Sequence, residues 1–243
     1  MPEPPPLAPN HALFLDLDGV LAPIMERPED VGPEPWRARV LGALGARLGG
    51  RVAVLSGRTL DEVDRILEGC VGVVAGTHGL ELRLPSGKSD RTAPARGLAA
   101  ARQEAAALTA GLAGTFIEDK PTAMALHYRQ NPASEAALVA GAGAIAARHG
   151  LELQPGKAVI EIRTPGASKG QALSRLMELH PFAGHLPVML GDDLTDESAF
   201  AACEALGGYG ILVGEPRESL ARYRLDGPER VRDWLEAMAG GRE

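Results

Sequence analysis

Short apolar runs alternate with stretches of helical periodicity over most of the chain. The apolar runs occupy residues 12–15, 51–55, 71–75, 186–190 and 209–213. Helical spacing or helix-start signals follow at residues 36–48, 59–67, 168–179, 197–206 and 226–238. Continuous apolar runs separated by helices are typical of strands buried in a parallel sheet with helices on its faces. We therefore predict an α/β fold built on a parallel sheet.

The middle of the chain has a different pattern. Residues 94–112 and 132–148 are alanine-rich and helical, whereas 116–120, 124–129, 151–155 and 158–163 resemble strands. This order predicts a small antiparallel sheet with a helical cover, inserted into the larger domain. Segments rich in Pro, Gly and polar residues at 84–94 and 164–166 mark the boundaries. We expect a core of residues 1–92 and 165–243, a cap of residues 93–164, and a disordered proline-rich tail at residues 1–10.

Composition narrows the class of partner. The chain is 45% hydrophobic and 23% charged, with a formal net charge of −7 and no block of Lys and Arg, which argues against nucleic-acid binding. Neither a membrane-length apolar run nor a signal-peptide pattern occurs, so we expect a cytoplasmic protein. Cys70 and Cys203 stand alone, which indicates neither a zinc site nor a disulfide framework. The oligomeric state stays open, with a monomer among the alternatives.

The first apolar run ends in two carboxylates. Asp16 and Asp18 are separated by one residue, so on an extended chain both project to the same side. Gly19 then allows a tight turn or a close approach of the backbone to a ligand. Like charges this close favour a shared cation, and the carboxyl ends of parallel strands are where open α/β sheets bind ligands.

Other strand ends carry complementary groups. Ser56 and Arg58 follow the second apolar run, just before the helix that begins after Thr59. A second helix start, in the pattern of a capping box from Ser168 to Gln171, places Lys169 in its first turn, where a cation is disfavoured unless an anion lies opposite. The run 186–190 ends in a further acid cluster at Asp192, Asp193 and Asp196.

Together these groups suit phosphoryl transfer. Carboxylate oxygens are ligands that Mg²⁺ takes, and a hydroxyl, a lysine and helix N-termini bind phosphate. One carboxylate beside the metal can attack phosphorus and form an aspartyl-phosphate. The other can protonate the leaving alcohol and then activate water.

These motifs resemble those of the haloacid dehalogenase (HAD) superfamily of phosphatases, and more narrowly those of the trehalose-6-phosphate phosphatase family. The matching segments are 15–24, 55–58, 76–81, 127–129, Lys157, 161–163, Lys169 and 191–197. Leu17 and Val20 depart from the residues common in the family. The resemblance implies a HAD-like Rossmannoid core with a parallel sheet and an inserted α/β cap. It also implies hydrolysis of trehalose 6-phosphate, as part of trehalose biosynthesis.

The resemblance assigns roles residue by residue. It implies that Asp16 is the nucleophile, that Asp18 is the general acid and base, and that Ser56 and Lys169 bind phosphate. Mg²⁺ would be held by Asp16, Asp18 and Asp192, with Asp193 and Asp196 in support. The substrate-binding residues it implies are Asp16, Leu17, Asp18, Ser56, Gly57, Arg58, His78, Glu81, Lys120, His127, Arg129, Lys157, Glu161, Arg163 and Lys169.

Three alternatives compete with this interpretation. The same core motifs serve phosphatases of sucrose 6-phosphate or mannosyl-3-phosphoglycerate, although the predicted cap residues and the ending 195–197 favour trehalose 6-phosphate. The segment 166–170 fits G-x-S-x-G, with Ser168 as the nucleophile of a serine hydrolase. However, the last histidine, His185, precedes Asp192, and only Glu178 lies between Ser168 and His185 to supply the acid of a triad, which makes this interpretation poor. A non-catalytic binding module would be indicated by loss of an acid or of Lys169, and none is missing.

Overall fold

A computed structural model describes residues 1–240 of the chain. It divides into two compact units. Within the described residues, the first unit comprises residues 1–90, 167–192 and 196–240, and the second comprises residues 91–166 and 193–195. That residues 93–164 form a separate cap domain stays a prediction.

The first unit is built on one mixed sheet. Within the described residues this sheet has eight strands in the order β12-β11-β10-β1-β2-β3-β4-β5. The neighbours from β12 to β3 pair in parallel, and β4 joins β3 antiparallel. Its strands are β1 (His11–Leu15), β2 (Val52–Leu55), β3 (Val73–Gly76), β4 (Glu81–Arg83), β5 (Ser89–Arg91), β10 (Leu186–Gly191), β11 (Tyr209–Val213) and β12 (Tyr223–Leu225). The predicted parallel sheet is confirmed.

Helices cover both faces of this sheet. They are α1 (Pro35–Arg47), α2 (Leu60–Leu67), α5 (Lys169–Met177), α6 (Glu197–Ala205) and α7 (Pro228–Ala239). Alternate residues of β1 enter two different apolar clusters, Leu13 and Leu15 on one side and Ala12 and Phe14 on the other. Burial on both faces explains why this strand is a continuous apolar run instead of an alternating one.

The second unit has its own sheet and core. Its antiparallel strands, in the order β6-β7-β9-β8, are β6 (Phe116–Asp119), β7 (Ala123–His127), β8 (Glu152–Gly156) and β9 (Val159–Arg163). Helices α3 (Leu98–Ala110) and α4 (Glu135–His149) share an apolar cluster with Met124, Leu126, Ile160 and Ile162. The intervening strand positions therefore lie on the opposite face, and they include Glu118, Ala125 and Glu161 in one cross-strand row.

Residues 1–10 differ from the disordered tail that we expected. Leu7 is buried, and its carbonyl accepts a hydrogen bond from Arg47. The Pro9 carbonyl accepts one from Arg51, and the Pro2 carbonyl accepts one from the Arg224 N–H. Proline lacks the N–H donor but keeps its acceptor, so a proline-rich segment can bind along a surface that supplies donors.

Three short strands were not predicted. They are β4 and β12, and β5, which lies inside the stretch that we assigned to a boundary segment. Each has three residues, too few to establish a periodicity. Among residues 1–240 no helix is both long and apolar enough to cross a membrane.

Candidate active site

The candidate site lies where β1, β2 and β10 end. Leu15 of β1 is paired with Leu190 of β10 on one side and with Val54 of β2 on the other. The residues that follow these strands therefore emerge side by side at the carboxyl edge of the sheet. The first of them are Asp16, Ser56 and Asp192, as the sequence predicted.

Lys169 joins two of the acid groups. Its Nζ lies 2.7 Å from Asp16 Oδ2 and 2.7 Å from Asp196 Oδ1. Lys169 and Asp196 are 2% and 0% exposed, so these ion pairs are shielded from water. The other oxygen of each acid is also held, because Asp16 Oδ1 accepts from the Leu17 N–H and Asp196 Oδ2 accepts from the Asp192 N–H. A cation in the first turn of a helix is disfavoured unless anions lie opposite, and Asp16 and Asp196 supply those anions for Lys169.

Ser168 starts α5 instead of serving as a nucleophile. Its hydroxyl accepts a hydrogen bond from the Gln171 N–H, one of the two bonds of the predicted capping box. This contact satisfies one of the free N–H groups at the helix start. A capping role at the start of the helix that carries Lys169 thus explains the position of Ser168. A role as the nucleophile of a serine hydrolase is not needed to explain it.

Gly19 brings the loop after β1 against Asp192. Its φ of +79° lies in the left-handed region, and a Cβ at this position would be 2.3 Å from the Asp192 carboxyl carbon. Both facts exclude a side chain here. The glycine therefore allows the backbone after β1 to pass close to the Asp192 carboxylate.

The acids that could hold a metal are Asp16, Asp192 and Asp196. Each offers a carboxylate oxygen, and these oxygens lie within 4.8 Å of one another. All three side chains are buried, and an all-oxygen donor set suits a hard cation such as Mg²⁺. The formal charge of these acids with Lys169 is negative, which favours a divalent cation. The residues present therefore fit a metal ion.

This cluster differs from the predicted ligand set. Asp18 is absent from it among the described side chains, because its carboxylate is held by Arg58 at 2.7 and 2.8 Å. The predicted support from Asp193 also takes another form. Asp193 Oδ1 accepts from the Thr195 N–H at 2.8 Å and from the Thr195 hydroxyl at 2.6 Å, which stabilises the turn after β10. Asp196, which the resemblance implied only as support, is part of the cluster, and its role in metal binding stays a prediction.

Ser56 occupies the expected strand end. It is 1% exposed, and its hydroxyl oxygen accepts from the Arg58 N–H at 3.1 Å. Just beyond it, Thr59 and Glu62 form the predicted capping box at the start of α2, with both reciprocal bonds present. Gly57 lies between Ser56 and Thr59, and a Cβ at Gly57 would be 2.7 Å from His78 Nε2. The His78 ring therefore packs directly on the segment that carries Ser56.

A strained turn follows β3. Thr77 and His78 both have positive φ values, 46° and 54°, which costs about 1–3 kcal/mol for each non-glycine residue. Two backbone hydrogen bonds hold the turn, from the Thr77 N–H to the Arg58 carbonyl and from the His78 N–H to the Ser56 carbonyl. Strain held next to the segment that carries Ser56 is consistent with the predicted role of His78.

Glu81 makes a contact that the sequence did not indicate. It is buried, and its Oε2 accepts from the Leu60 N–H at 2.9 Å. A carboxylate at a helix N-terminus satisfies a free N–H and interacts well with the helix dipole. This contact accounts for burial of Glu81 without a substrate, so its predicted role in substrate binding stays a prediction.

The second unit carries a buried polar network on the sheet face opposite its helices. Lys120 Nζ lies 2.7 Å from Glu161 Oε1 and 3.7 Å from Glu118 Oε1. His127 Nε2 donates to Glu118 Oε2 at 2.7 Å, and its ring stacks on Phe116 with centroids 4.5 Å apart. Four charged or imidazole groups here are linked by contacts between strands.

Glu118 has a shifted pKa within this network. Burial alone raises the pKa of Glu118, but the hydrogen bond from His127 and the charge of Lys120 lower it more, so the net pKa is below its usual value. The predicted substrate-binding set does not include Glu118, although this residue lies in the predicted strand at residues 116–120. Its register opposite Ala125, in the row that continues to Glu161, is the signal that would have included it.

The remaining predicted residues lie just after β7, in the turn between β8 and β9, and on β9. Arg163 is buried, and its Nη2 lies 3.1 Å from Glu152 Oε2. Arg129 donates to the Lys157 carbonyl at 2.9 Å, which joins the end of β7 to the turn between β8 and β9. The structure therefore groups the predicted residues of the second unit on one sheet and its connecting turn.

Comparison with known proteins identifies relatives over most of the chain. A family model described as trehalose-phosphatase matches residues 14–229. The trehalose-6-phosphate phosphatase of Escherichia coli K12 is 38% identical over 241 residues, which cover 97% of this chain and 89% of that one. A probable trehalose-phosphate phosphatase of Sinorhizobium fredii is 37% identical over 233 residues, 95% of this chain and 88% of that one.

Solved structures agree with these sequence matches. A trehalose-6-phosphate phosphatase related protein superposes with a TM-score of 0.78 and 26% identity, over 94% of this chain and 96% of that one. The C-terminal domain of trehalose-6-phosphate phosphatase from Candida albicans gives a TM-score of 0.85 at 22% identity, over 95% and 92% of the two chains, which supports the fold.

Proposed function

Since the chain belongs to the trehalose-phosphatase family, we propose that it hydrolyses trehalose 6-phosphate to trehalose and phosphate through an aspartyl-phosphate on Asp16. The observation that supports this most is the buried contact of Asp16 with Lys169 beside Asp192 and Asp196. It places a carboxylate nucleophile next to the positive charge that an incoming phosphate needs. We place the reaction in the cytoplasm.

The residues divide the work in the following way. An Asp16 oxygen attacks phosphorus while the bond from phosphorus to the sugar oxygen breaks, and Asp18 gives that oxygen a proton. Water then attacks the phosphorus of the aspartyl-phosphate and gives a proton to Asp18, which releases phosphate and restores the Asp16 carboxylate. Ser56 and Lys169 bind the phosphate oxygens in both steps.

We further propose that Mg²⁺ binds at Asp16 and Asp192. When bound, it would reduce the repulsion between the anionic nucleophile and the anionic phosphate. Asp196 is engaged through both oxygens with Lys169 and the Asp192 N–H, so we assign it to orienting these two residues. Asp18, whose carboxylate faces Arg58, is assigned to proton transfer and not to metal binding.

The substrate is tested with a panel of sugar phosphates. We expect the fastest phosphate release from trehalose 6-phosphate, with sucrose 6-phosphate and mannosyl-3-phosphoglycerate slower by about 10²-fold or more, because buried polar groups left unpaired by the wrong sugar penalise it. The measurement is kcat/KM for each compound. A higher kcat/KM for either rival would assign the enzyme to that sugar instead.

The metal is tested by chelation. Treatment with EDTA should abolish turnover, and Mg²⁺ should restore it, since the oxygen ligands favour a hard cation. Phosphate release is measured before and after, and Zn²⁺ serves as the comparison ion. Full turnover after exhaustive chelation and dialysis would contradict a metal-dependent reaction.

We also propose that the polar face of the second unit, formed by Glu118, Lys120, His127, Glu161 and Arg163, binds the sugar, together with Arg129 and Lys157. A disaccharide offers many hydroxyls that need donors and acceptors once water is excluded. Buried charges arranged as interlinked pairs provide both kinds of group. They would also explain selectivity that the phosphate-binding residues alone cannot give.

Glu161→Ala tests this sugar site. It should lower kcat/KM for trehalose 6-phosphate, with a loss of about 1–3 kcal/mol of transition-state stabilisation. The reason is that the substitution removes an acceptor and leaves Lys120 without its 2.7 Å ion pair. Hydrolysis of 4-nitrophenyl phosphate, which lacks a sugar, should change little. Glu104→Ala, which removes a partner of Arg148 and His149 on the helices of the same unit, is the control. Equal losses on both substrates would contradict sugar binding here.

A further inference from the structure

Arg58 holds Asp18 through a two-pronged contact. Its Nε donates to Asp18 Oδ2 at 2.7 Å, and its Nη2 donates to Asp18 Oδ1 at 2.8 Å. The Arg58 side chain is 7% exposed, whereas that of Asp18 is 35% exposed. A planar guanidinium paired with both oxygens fixes the plane of the carboxylate as well as its position.

The contact leaves Asp18 able to exchange a proton. A carboxylate has about four lone-pair directions, and a bidentate arginine uses two of them. The remaining directions belong to a side chain that is one-third open to solvent on the described surface. Asp18 can therefore be held by Arg58 and still meet a leaving group or a water molecule.

Arg58 is itself fixed from several sides. Its third nitrogen, Nη1, donates to the Pro28 carbonyl at 2.8 Å, in the loop that follows Gly19. Its backbone N–H donates to Ser56 Oγ, and its carbonyl accepts from the Thr77 N–H of the strained turn. One residue thus connects the loop after the nucleophile, the phosphate-binding serine and the acid–base carboxylate.

These contacts suggest a role other than the one predicted from sequence. Arg58 was expected to bind substrate, but its Nε, Nη1 and Nη2 all donate to the protein. We propose that Arg58 is a positioning residue that aims the Asp18 carboxylate for proton transfer. This inference rests on the proposed function, because it takes Asp18 to be the acid and base of the aspartyl-phosphate mechanism.

A loss of Arg58 should affect the two chemical steps differently, depending on the leaving group. With a sugar phosphate, the leaving oxygen needs a proton from Asp18 as its bond to phosphorus breaks. With 4-nitrophenyl phosphate, the leaving phenolate is stable without one, so the aspartyl-phosphate still forms. In both cases the water that clears the intermediate must give its proton to Asp18. A misdirected Asp18 should therefore trap the phospho-enzyme when the aryl substrate is used.

The test compares Arg58→Ala and Arg58→Lys with the wild-type enzyme. We expect kcat for trehalose 6-phosphate to fall by about 10²-fold or more in Arg58→Ala, within the range for losing a general acid or base, with little change in KM. On 4-nitrophenyl phosphate, rapid mixing should show a burst of about one nitrophenolate per enzyme and then slow turnover. Arg58→Lys should recover only part of kcat, because an ammonium cannot make the paired contact.

Arg83 provides a matched control. It donates to both oxygens of Asp64 at 2.7 and 2.8 Å and to the Gly72 and Val71 carbonyls, an arrangement similar to that of Arg58 but outside the site. Arg83→Ala should reduce stability without a burst and without loss of kcat per folded enzyme. Thermal unfolding of each variant separates misfolding from misdirected catalysis, and Arg58→Lys covers the case in which Arg58→Ala fails to fold.

Combination with Asp18→Asn gives the decisive result. If Arg58 acts through Asp18, the double variant should be no slower than Asp18→Asn alone, because the effects of coupled residues do not add. Additive losses, a rise in KM without a burst, or full kcat in Arg58→Lys would overturn the proposal. Wild-type enzyme that hydrolyses the aryl phosphate but not trehalose 6-phosphate would count against the proposed substrate alone.

Discussion

Asp16→Asn should reduce turnover of trehalose 6-phosphate by about 10⁴-fold or more, the loss expected when a nucleophile is removed. The amide keeps the shape of the carboxylate, but it has neither the charge nor the nucleophilicity to attack phosphorus. It also removes the 2.7 Å ion pair with Lys169 and one of the oxygens of the acid cluster. Phosphate release is the measurement, with mass spectrometry of the protein after mixing with substrate to detect a phosphorylated aspartate.

Two checks make this result interpretable. Asp64→Asn alters a carboxylate that is paired with an arginine in the same unit but away from the site, and it should retain turnover. The wild-type enzyme, quenched during turnover, should carry phosphate on Asp16, and Asp16→Asn should carry none. Sustained turnover by Asp16→Asn, with the amide verified by mass, would exclude an aspartyl-phosphate on this residue.

Lys169→Met should affect both catalysis and stability. We expect kcat to fall by about 10²–10³-fold, the usual cost of losing one group that stabilises charge in the transition state. We also expect a loss of about 3–5 kcal/mol in the free energy of unfolding without metal, because Asp16 and Asp196 lose the buried ammonium that lies between them. The measurements are steady-state kinetics and urea unfolding in the presence of EDTA.

A second substitution separates these two effects. Adding Asp196→Asn to Lys169→Met removes one of the buried charges that the methionine leaves behind, so part of the stability should return while the activity should not. Lys88→Met, on an exposed lysine between β4 and β5, is the control for loss of a positive charge. Near-normal kcat in Lys169→Met would contradict a role for Lys169 in binding phosphate.

The parts of this fold that were predictable are those with a local cause. β1 lies between two neighbouring strands and is buried on both faces, so its burial is visible as an uninterrupted apolar run. The capping box of Thr59 and Glu62 involves residues three apart, and it formed as the spacing indicated. Strands β4, β5 and β12 have only three residues each, so their pairing depends on neighbours distant in sequence.

The site shows the same division between local and distant causes. That Asp16 and Asp192 would meet followed from strand ends in a parallel sheet. The orientation of Asp18 did not follow, because it depends on Arg58, which lies 40 residues further along the chain. Glu81 is a similar case, since its contact with the start of α2 is not encoded by residues near it in sequence. The sequence indicated which residues have side chains suited to catalysis. Which residues they contact depends on the fold and could not be predicted from sequence.

The discontinuity of the first unit has a consequence for synthesis on the ribosome. β1 pairs with β10 from His11 opposite Leu186 to Leu15 opposite Leu190. This side of β1 therefore has no partner strand until most of the chain has been translated. The sheet of the second unit, by contrast, is formed from residues 116–163 alone. Units generally fold as their residues emerge, and pairing between distant segments is slow. We therefore expect the inserted unit to be structured on the nascent chain first, while the half-made core exposes apolar strands that make it a substrate for chaperones.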